Sequence, residues 1–222
     1  LEGYGVEQKM YHVDDVYWHS LKTCDCAEDS VKLAALLHDI AKPRTDMGNG
    51  HFYGHDIVGV EMVDKIMKRL KFSKTETERI KKLIRNHMFY YPHSQENVKK
   101  EKEGINLNMW SDSAIRRFLN RVDEENVEDL FKLRIADATA NPNSPFDPEE
   151  ITQLQKRISE VRAKDMALKI TDLAVKGDDL EKIGVKAGPQ MGKVLKFLLD
   201  IVLEDPLMNT KEKLLEAAKN ML

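Results

Sequence analysis

Over most of this chain, apolar residues recur at intervals of three and four rather than two, the spacing of helices that bury one face. Leu33, Leu36, Leu37, Ile40 and Ala41 predict a helix that is apolar on most sides. It starts near Asp29-Ser30 and stops at Pro43, because the residue before a proline is pushed out of the helical region. A first helix is expected through about Asp14 to Cys26. Val58, Met62, Ile66 and Leu70 mark another from His55, and Ser73 with Glu76 forms a capping box opening a helix that reaches His87. Residues 90–108 are polar, lysine-rich and aperiodic, which predicts a long loop. Ser111 caps a short helix to about Arg121, and a further helix runs from Glu124 to Ala140. After Pro145 and Pro148 one long helix is expected, with Ile151, Leu154, Ile158, Val161, Leu168 and Val175 on a stripe and Asp165 and Asp172 at its rim. Gly177, Gly184, Gly188-Pro189 and Asn209-Thr210 then punctuate three short helices in a compact tail. Period-two alternation is not sustained anywhere. The fold class is therefore all-α, a helical bundle over residues 1–142 followed by a long helix and helical tail subdomain over 143–222.

Composition narrows the class. A chain of 222 residues can carry one domain and an appended subdomain with a core that needs no staples. Its 35 Lys and Arg nearly balance 38 Asp and Glu, so total charge does not favour nucleic acid and only local clustering can. Apolar runs are soon interrupted by charge, which predicts no membrane span. The start at Leu1-Glu2-Gly3 has neither Met nor a signal pattern and looks cut from a longer protein. Cys24 and Cys26 are spaced for neither a zinc knuckle nor a redox pair. They read as ordinary helix residues of a cytoplasmic protein.

The chemistry centres on His38-Asp39, near the end of the most apolar helix. A buried, unpaired carboxylate costs several kcal/mol, so something must compensate Asp39. A divalent cation would, since imidazole nitrogen with carboxylate oxygen suits manganese, iron, cobalt or nickel. An arginine from another helix would do so too, with His38 satisfied by a backbone carbonyl, and the doublet by itself leaves both readings open. Lys42 lies four residues after His38 and so on its face, either as a point charge for a substrate phosphate or as a solvated last-turn lysine. Arg44 is a second candidate for that phosphate.

His38-Asp39 in Leu36-Leu37-His38-Asp39-Ile40-Ala41-Lys42, with His19 before it in Trp18-His19-Ser20-Leu21 and Asp137 far behind in Ile135-Ala136-Asp137-Ala138, resembles the HD superfamily of metal-dependent phosphohydrolases. The resemblance implies an HD-domain helical bundle whose ligands are His19, His38, Asp39 and Asp137, holding a divalent metal: Mn, Fe, Co, Ni or Mg. His12 and His19 would stand roughly 10 Å apart along one helix, so at most one serves a single site. The position of His19 matches the family's first ligand. Two oxygens let Asp39 bridge to a second ion, for which His55 and His87 stand where the family would need them. Their alternative is one His that opens a helix and one that favours the C-terminal dipole of the next. Asp137 has an alternative partner in Arg134. The implied activity is hydrolysis of a phosphate monoester or a cyclic nucleotide phosphodiester, with Asp39 and Lys42 catalytic and Lys42 and Arg44 on the phosphate.

A second set of features is similar to the C-terminal half of bacterial tRNA nucleotidyltransferases, the CCA-adding enzymes and poly(A) polymerase relatives. These are Gly54-His55 with Gly59, Leu83-Ile84 to His87, Leu173 through Leu180, Gly184, Gly188-Pro189 with Gly192, and Leu203 to Asn209. In those proteins an HD domain follows a nucleotidyltransferase head. This chain has no Asp-x-Asp pair and no Glu-Asp-x-x-Arg motif, so nucleotide addition is not expected of it. The alternative function is an RNA-contacting body and tail with a non-catalytic HD site. Lys81, Lys82, Lys186 and Lys193 are then the candidates for weak contact with tRNA, though a solvated basic face explains them equally. A phosphorylated small molecule or nucleotide is the expected partner, with tRNA second. The oligomeric state is left open.

Overall fold

The structure, a computed structural model, describes residues 3–8, 14–48, 50–91, 110–144, 146–164 and 169–221. His12, nearly all of the loop expected over 90–108, and the stripe positions Asp165 and Leu168 lie outside the described residues. Among the described residues the regular elements are helices, with one isolated bridge between Glu7 and Asp15 and no strand. In chain order they are α1 (Val16–Cys26), α2 (Lys32–Leu37), α3 (Lys42–Thr45), α4 (His55–Arg69), α5 (Lys74–Asn86), α6 (Asp112–Val122), α7 (Val127–Ala140), α8 (Glu149–Arg162), α9 (Gly177–Glu181), α10 (Pro189–Glu204) and α11 (Lys211–Lys219). No helix among them is long and apolar enough to cross a membrane.

The chain forms two compact units, Leu1–Ser94 with Val122–Ile151, and Gln95–Arg121 with Thr152–Leu222. Residues 95–121, which a single division after residue 142 would leave in the first domain, belong to the second unit. In the first unit α1 packs on α2 and α7, and α4 pairs with α5. Val63, Met67, Leu83, Ile84, Leu130 and Leu133 are wholly buried in it. Helix starts follow their side chains. The Asp15 carboxylate accepts from the Trp18 N–H at 2.8 Å to cap α1, and the Ser73–Glu76 capping box opens α5 as its spacing predicts. Before α4 the N-cap is Gly54 at φ 76°, a left-handed conformation that side-chain-bearing residues rarely adopt.

The His-Asp helix departs from expectation. The periodicity predicts one helix through to Pro43, but α2 ends at Leu37 and the chain tightens over His38–Ala41. There the Ile40 N–H donates to the Leu37 carbonyl at 3.2 Å and the Lys42 N–H to the Asp39 carbonyl at 3.0 Å. Pro43 lies in the first turn of α3, where its missing N–H costs nothing.

In the second unit Leu173, Val175, Leu180, Val185, Val194, Leu198, Val202 and Leu214 make one core. Val175 thus serves the tail core rather than continuing a stripe on α8, which ends at Arg162. Asp172 likewise is no rim position of a long helix; its carboxylate accepts from the Lys169 N–H at 2.8 Å in a short 3-10 turn. The tail also contains one long helix, the 16-residue α10, rather than only short ones. Arg116, buried on α6, closes the end of α10 by donating to the Leu203 carbonyl at 2.6 Å and the Glu204 carbonyl at 2.9 Å. Those carbonyls have no partner within their own helix.

Candidate metal centre

Six side chains from five places along the first unit meet: His19 from α1, His38 and Asp39 from the turn after α2, His55 from the start of α4, His87 from the end of α5, and Asp137 from α7. Pairing of α4 with α5 brings His55 and His87 together at one end of the hairpin, with their Nε2 atoms 3.2 Å apart. The six divide into two groups whose ligand atoms lie within 4.8 Å of one another: His19, His38 and Asp137, and Asp39, His55 and His87. Asp39 joins the groups. Its Oδ2 is 3.2 Å from His38 Nε2 and 3.9 Å from His19 Nε2, and its Oδ1 is 3.5 Å from His55 and 3.7 Å from His87.

The tautomers follow from the hydrogen bonds. Carbonyl oxygens only accept, so His38 Nδ1 donates to Ala35, His55 Nδ1 to Phe52 and His87 Nδ1 to Ile84, each at 2.7 Å. In a neutral imidazole the opposite nitrogen then carries the lone pair. Three lone pairs converge beside a carboxylate, and two of them face one another across 3.2 Å, an arrangement that calls for a cation or a proton between them. The remaining accounting agrees. His38 Nε2 and Asp39 Oδ1 are buried and take part in no hydrogen bond, and Asp39 Oδ2 is met by the Lys42 ammonium at 2.6 Å. A divalent ion fits this donor set.

Electrostatics favour the ionised carboxylates and the neutral His55 that a metal needs, while His38 is shifted toward its protonated form. Burial opposes ionisation of Asp39, but His38 and Lys42 beside it hold its carboxyl well below the usual range. Asp137 is likewise opposed by burial and lowered by the His19 hydrogen bond, 3.0 Å long, and by His38. Burial lowers His55 to about 4, with Asp39 opposing and His87 adding, so its imidazole is neutral at physiological pH. For His38, burial is outweighed by Asp39 and Asp137, and its pKa is raised.

The proposed phosphate ligands fare differently. Lys42 is buried, its Nζ 2.6 Å from Asp39 Oδ2 and donating to Gln8 Oε1 at 2.5 Å. The tight turn places it over Asp39, three residues back, rather than over His38 as a continuous helix would. Lys42 still lines the cleft of about 600 Å³ that opens onto the metal ligands, whereas Arg44 lines a separate cleft. Arg134 lines the metal cleft instead, and its Nη1 donates to Asp137 Oδ2 at 3.2 Å. The pairing expected of Asp137 with Arg134 and its place among the ligands thus coexist, one oxygen for each. Sequence pattern gives no hint of Gln8, or of Thr23, whose hydroxyl donates to the His19 carbonyl at 2.9 Å and lies 3.4 Å from His19 Nε2. Among the basic candidates, Lys81 pairs with Glu78 and Asp64, and Lys82 with Asp123. Lys186 and Lys193 are exposed and form no ion pair among the described residues.

Comparison with known proteins gives the same picture from another direction. The model of the HD domain family matches residues 9–141. An A-adding tRNA nucleotidyltransferase of Deinococcus radiodurans is 28% identical over 213 residues, covering 90% of this chain and 45% of the relative. A CC-adding tRNA nucleotidyltransferase of Thermus thermophilus is 30% identical over 208 residues, covering 91% of this chain and 42% of the relative. A multifunctional CCA protein of Neisseria meningitidis is 36% identical over 97 residues, 40% of this chain. The chain spans less than half the length of the first two relatives.

Proposed function

The chain belongs to the HD domain family, and from that premise we propose that it is a metal-dependent phosphohydrolase of phosphate monoesters or cyclic nucleotide phosphodiesters. The observation that carries the reading is Asp39, buried and joined to both groups of ligands, with Lys42 on Oδ2 and a ring of imidazoles about it. His19, His38 and Asp137 would hold one ion, Asp39, His55 and His87 a second, with Asp39 shared. Bound there, a divalent metal supplies Lewis acidity toward a phosphoryl oxygen and lowers the pKa of water to make a nucleophile.

The chain's own residues do the rest. Backbone carbonyls of Ala35, Phe52 and Ile84 fix the three imidazole orientations, so the ligand atoms need no rearrangement. Arg134 presents a guanidinium to the cleft, suited to phosphate oxygens. Lys42 balances the Asp39 charge and lines the cleft that a phosphate would enter. Metal analysis of protein purified without chelator, with turnover of bis-p-nitrophenyl phosphate, tests the reading. Metal-stimulated turnover is expected in the wild type and none in Asp39→Ala of unchanged circular dichroism; a wild-type protein that neither retains metal nor responds to it would overturn the reading.

The extent of the match to tRNA nucleotidyltransferases, nine-tenths of the chain, favours a second reading, in which this body and tail contact tRNA. Lys186 and Lys193 at the start of α10 are its best-placed cations, whereas Lys81 and Lys82 are engaged with carboxylates. Such binding is mostly electrostatic and must weaken as salt rises. A tRNA titration at two salt concentrations separates it from the hydrolase reading.

A further inference from the structure

The cleft over the metal ligands is larger than a phosphate needs, and its lining is sorted by element. At about 600 Å³ it falls in the size range of sites that enclose a whole small molecule. Helix α7 and the turn after it contribute polar groups, Arg134, Asn141 and Ser144, whereas the segment leading into α4 and the residue after His87 contribute Phe52, Tyr53 and Met88. Two of those three are large side chains left in the open, Tyr53 at 74% and Met88 at 69% exposure. The lining carboxylate outside the two ligand groups, Asp56, is paired with Arg85.

Exposure by itself would make Tyr53 an ordinary surface residue, but its position is held. Its ring lies 5.3 Å from that of His51 at an interplanar angle of 12°, a stacked pair. Before it in sequence comes Phe52, whose buried ring has the Lys42 ammonium 5.6 Å from its centre and whose carbonyl orients His55. After it comes Gly54, the N-cap of α4. Met88 follows directly on His87, whose Nδ1 is tied to the Ile84 carbonyl. Both exposed side chains are thus leashed to the group of Asp39, His55 and His87, two residues from one ligand and one residue from another. His51 covers one face of the Tyr53 ring, and the exposure that remains leaves ring surface for a ligand.

A flat ring already backed by an imidazole, with a polarisable thioether on the same cleft, complements another flat ring system and gives nothing comparable to an open chain or a sugar. We propose that Tyr53 and Met88 set the specificity of this cleft, selecting phosphate esters whose organic part carries a flat ring system, such as a nucleobase, over esters of sugars and open-chain alcohols. The inference rests on the hydrolytic reading of the same cleft. Stacking tolerates any base, so the preference follows ring size: a purine ahead of a pyrimidine, and both ahead of no ring.

AMP and ribose 5-phosphate share a phosphate and a sugar and differ by the base, so the ratio of their affinities reads the stacking contact alone. Each is set to compete with bis-p-nitrophenyl phosphate for the full chain loaded with manganese. The ratio of inhibition constants is expected to favour AMP by on the order of tenfold, the factor that one base on one aromatic ring is worth, with CMP between the two. Tyr53→Ala brings the ratio close to one, Tyr53→Phe keeps it, and Met88→Ala lowers it in part. Where Tyr53→Ala does not fold by circular dichroism, Tyr53→Leu, which keeps the bulk and loses the flat face, takes its place. Loss of metal or of general structure would weaken both ligands alike and leave the ratio as it was. A wild-type protein that does not turn over the diester sinks the hydrolytic reading by itself, and calorimetric titration of the manganese-equilibrated chain with the same two ligands then supplies the ratio. A wild-type ratio near one, or a ratio that loss of the Tyr53 ring leaves unchanged, would overturn the proposal.

Discussion

Lys42 is the residue whose role changes most between sequence and structure. Four residues after His38 it reads as a surface charge for substrate, yet it is buried against Asp39 and held by Gln8. In the metal-free protein it stands with His38 as positive charge beside that carboxylate. Removing one member of a buried ion pair leaves the other uncompensated, at about 3–5 kcal/mol. Lys42→Met is therefore expected to destabilise the metal-free protein by about that amount and the manganese-loaded protein by much less, because the ion then compensates Asp39. Urea unfolding with chelator and with manganese checks this, and an equal loss in both conditions would count against a metal at Asp39. That His19, His38, Asp39 and Asp137 come together was anticipated through the resemblance, because a His-Asp doublet inside an apolar run demands compensation but leaves a cation and an arginine both open. Gln8 and Thr23 were not, since a single polar residue carries no pattern until packing reveals its neighbour.

Helices were legible where their ends are written in side chains, as in the Ser73–Glu76 capping box. They were misjudged where apolar spacing runs past the true end. Through His38–Ala41 the spacing continues while the hydrogen bonds shorten to three residues, and past Arg162 Val175 keeps the stripe's period while packing in another core. Two arginines on α6 separate burial from mere pairing. Arg116 satisfies the last carbonyls of α10 from a buried position, whereas Arg117 pairs with the exposed Glu204 carboxylate. Arg116→Ala should lower unfolding stability by about 1.5–3 kcal/mol and Arg117→Ala by less than about 1 kcal/mol, both read from denaturant midpoints. Asp112, in the first turn of α6, has its carboxyl lowered by Lys164 and Arg157. A depressed folded pKa contributes stability that is present above the unfolded value near 3.8 and is lost as pH falls through the folded one. Asp112→Asn is thus expected to cost a few tenths of a kcal/mol at pH 7, after screening of this partly exposed cluster, and less at pH 2, below the unfolded value. Thermal melts at the two pH values measure it.

At the scale of the molecule, every candidate ligand belongs to the first unit and none to the second. Binding to a folded site stabilises the elements that build it. Hydrogen exchange with and without manganese should therefore show added protection in α1, α2, α4, α5 and α7, and unchanged protection in α9, α10 and α11. Protection that rose equally throughout would mean that the ion is not held by these six side chains. All-α architecture was legible from periodicity at this scale, but the division into units was not. It depends on contacts between segments far apart in sequence, which no local pattern encodes.

The order of the ligands along the chain also sets a timetable. Asp39, His55 and His87 have all left the ribosome long before Asp137, which follows His19 by 118 residues. At typical synthesis rates the wait between His19 and Asp137 is roughly 6–24 seconds. All three side chains of the group at the α4–α5 hairpin are thus made while the polypeptide still lacks α7. The group completed by α7 must wait, and a nascent chain stalled between the two would hold one set of candidate ligands without the other.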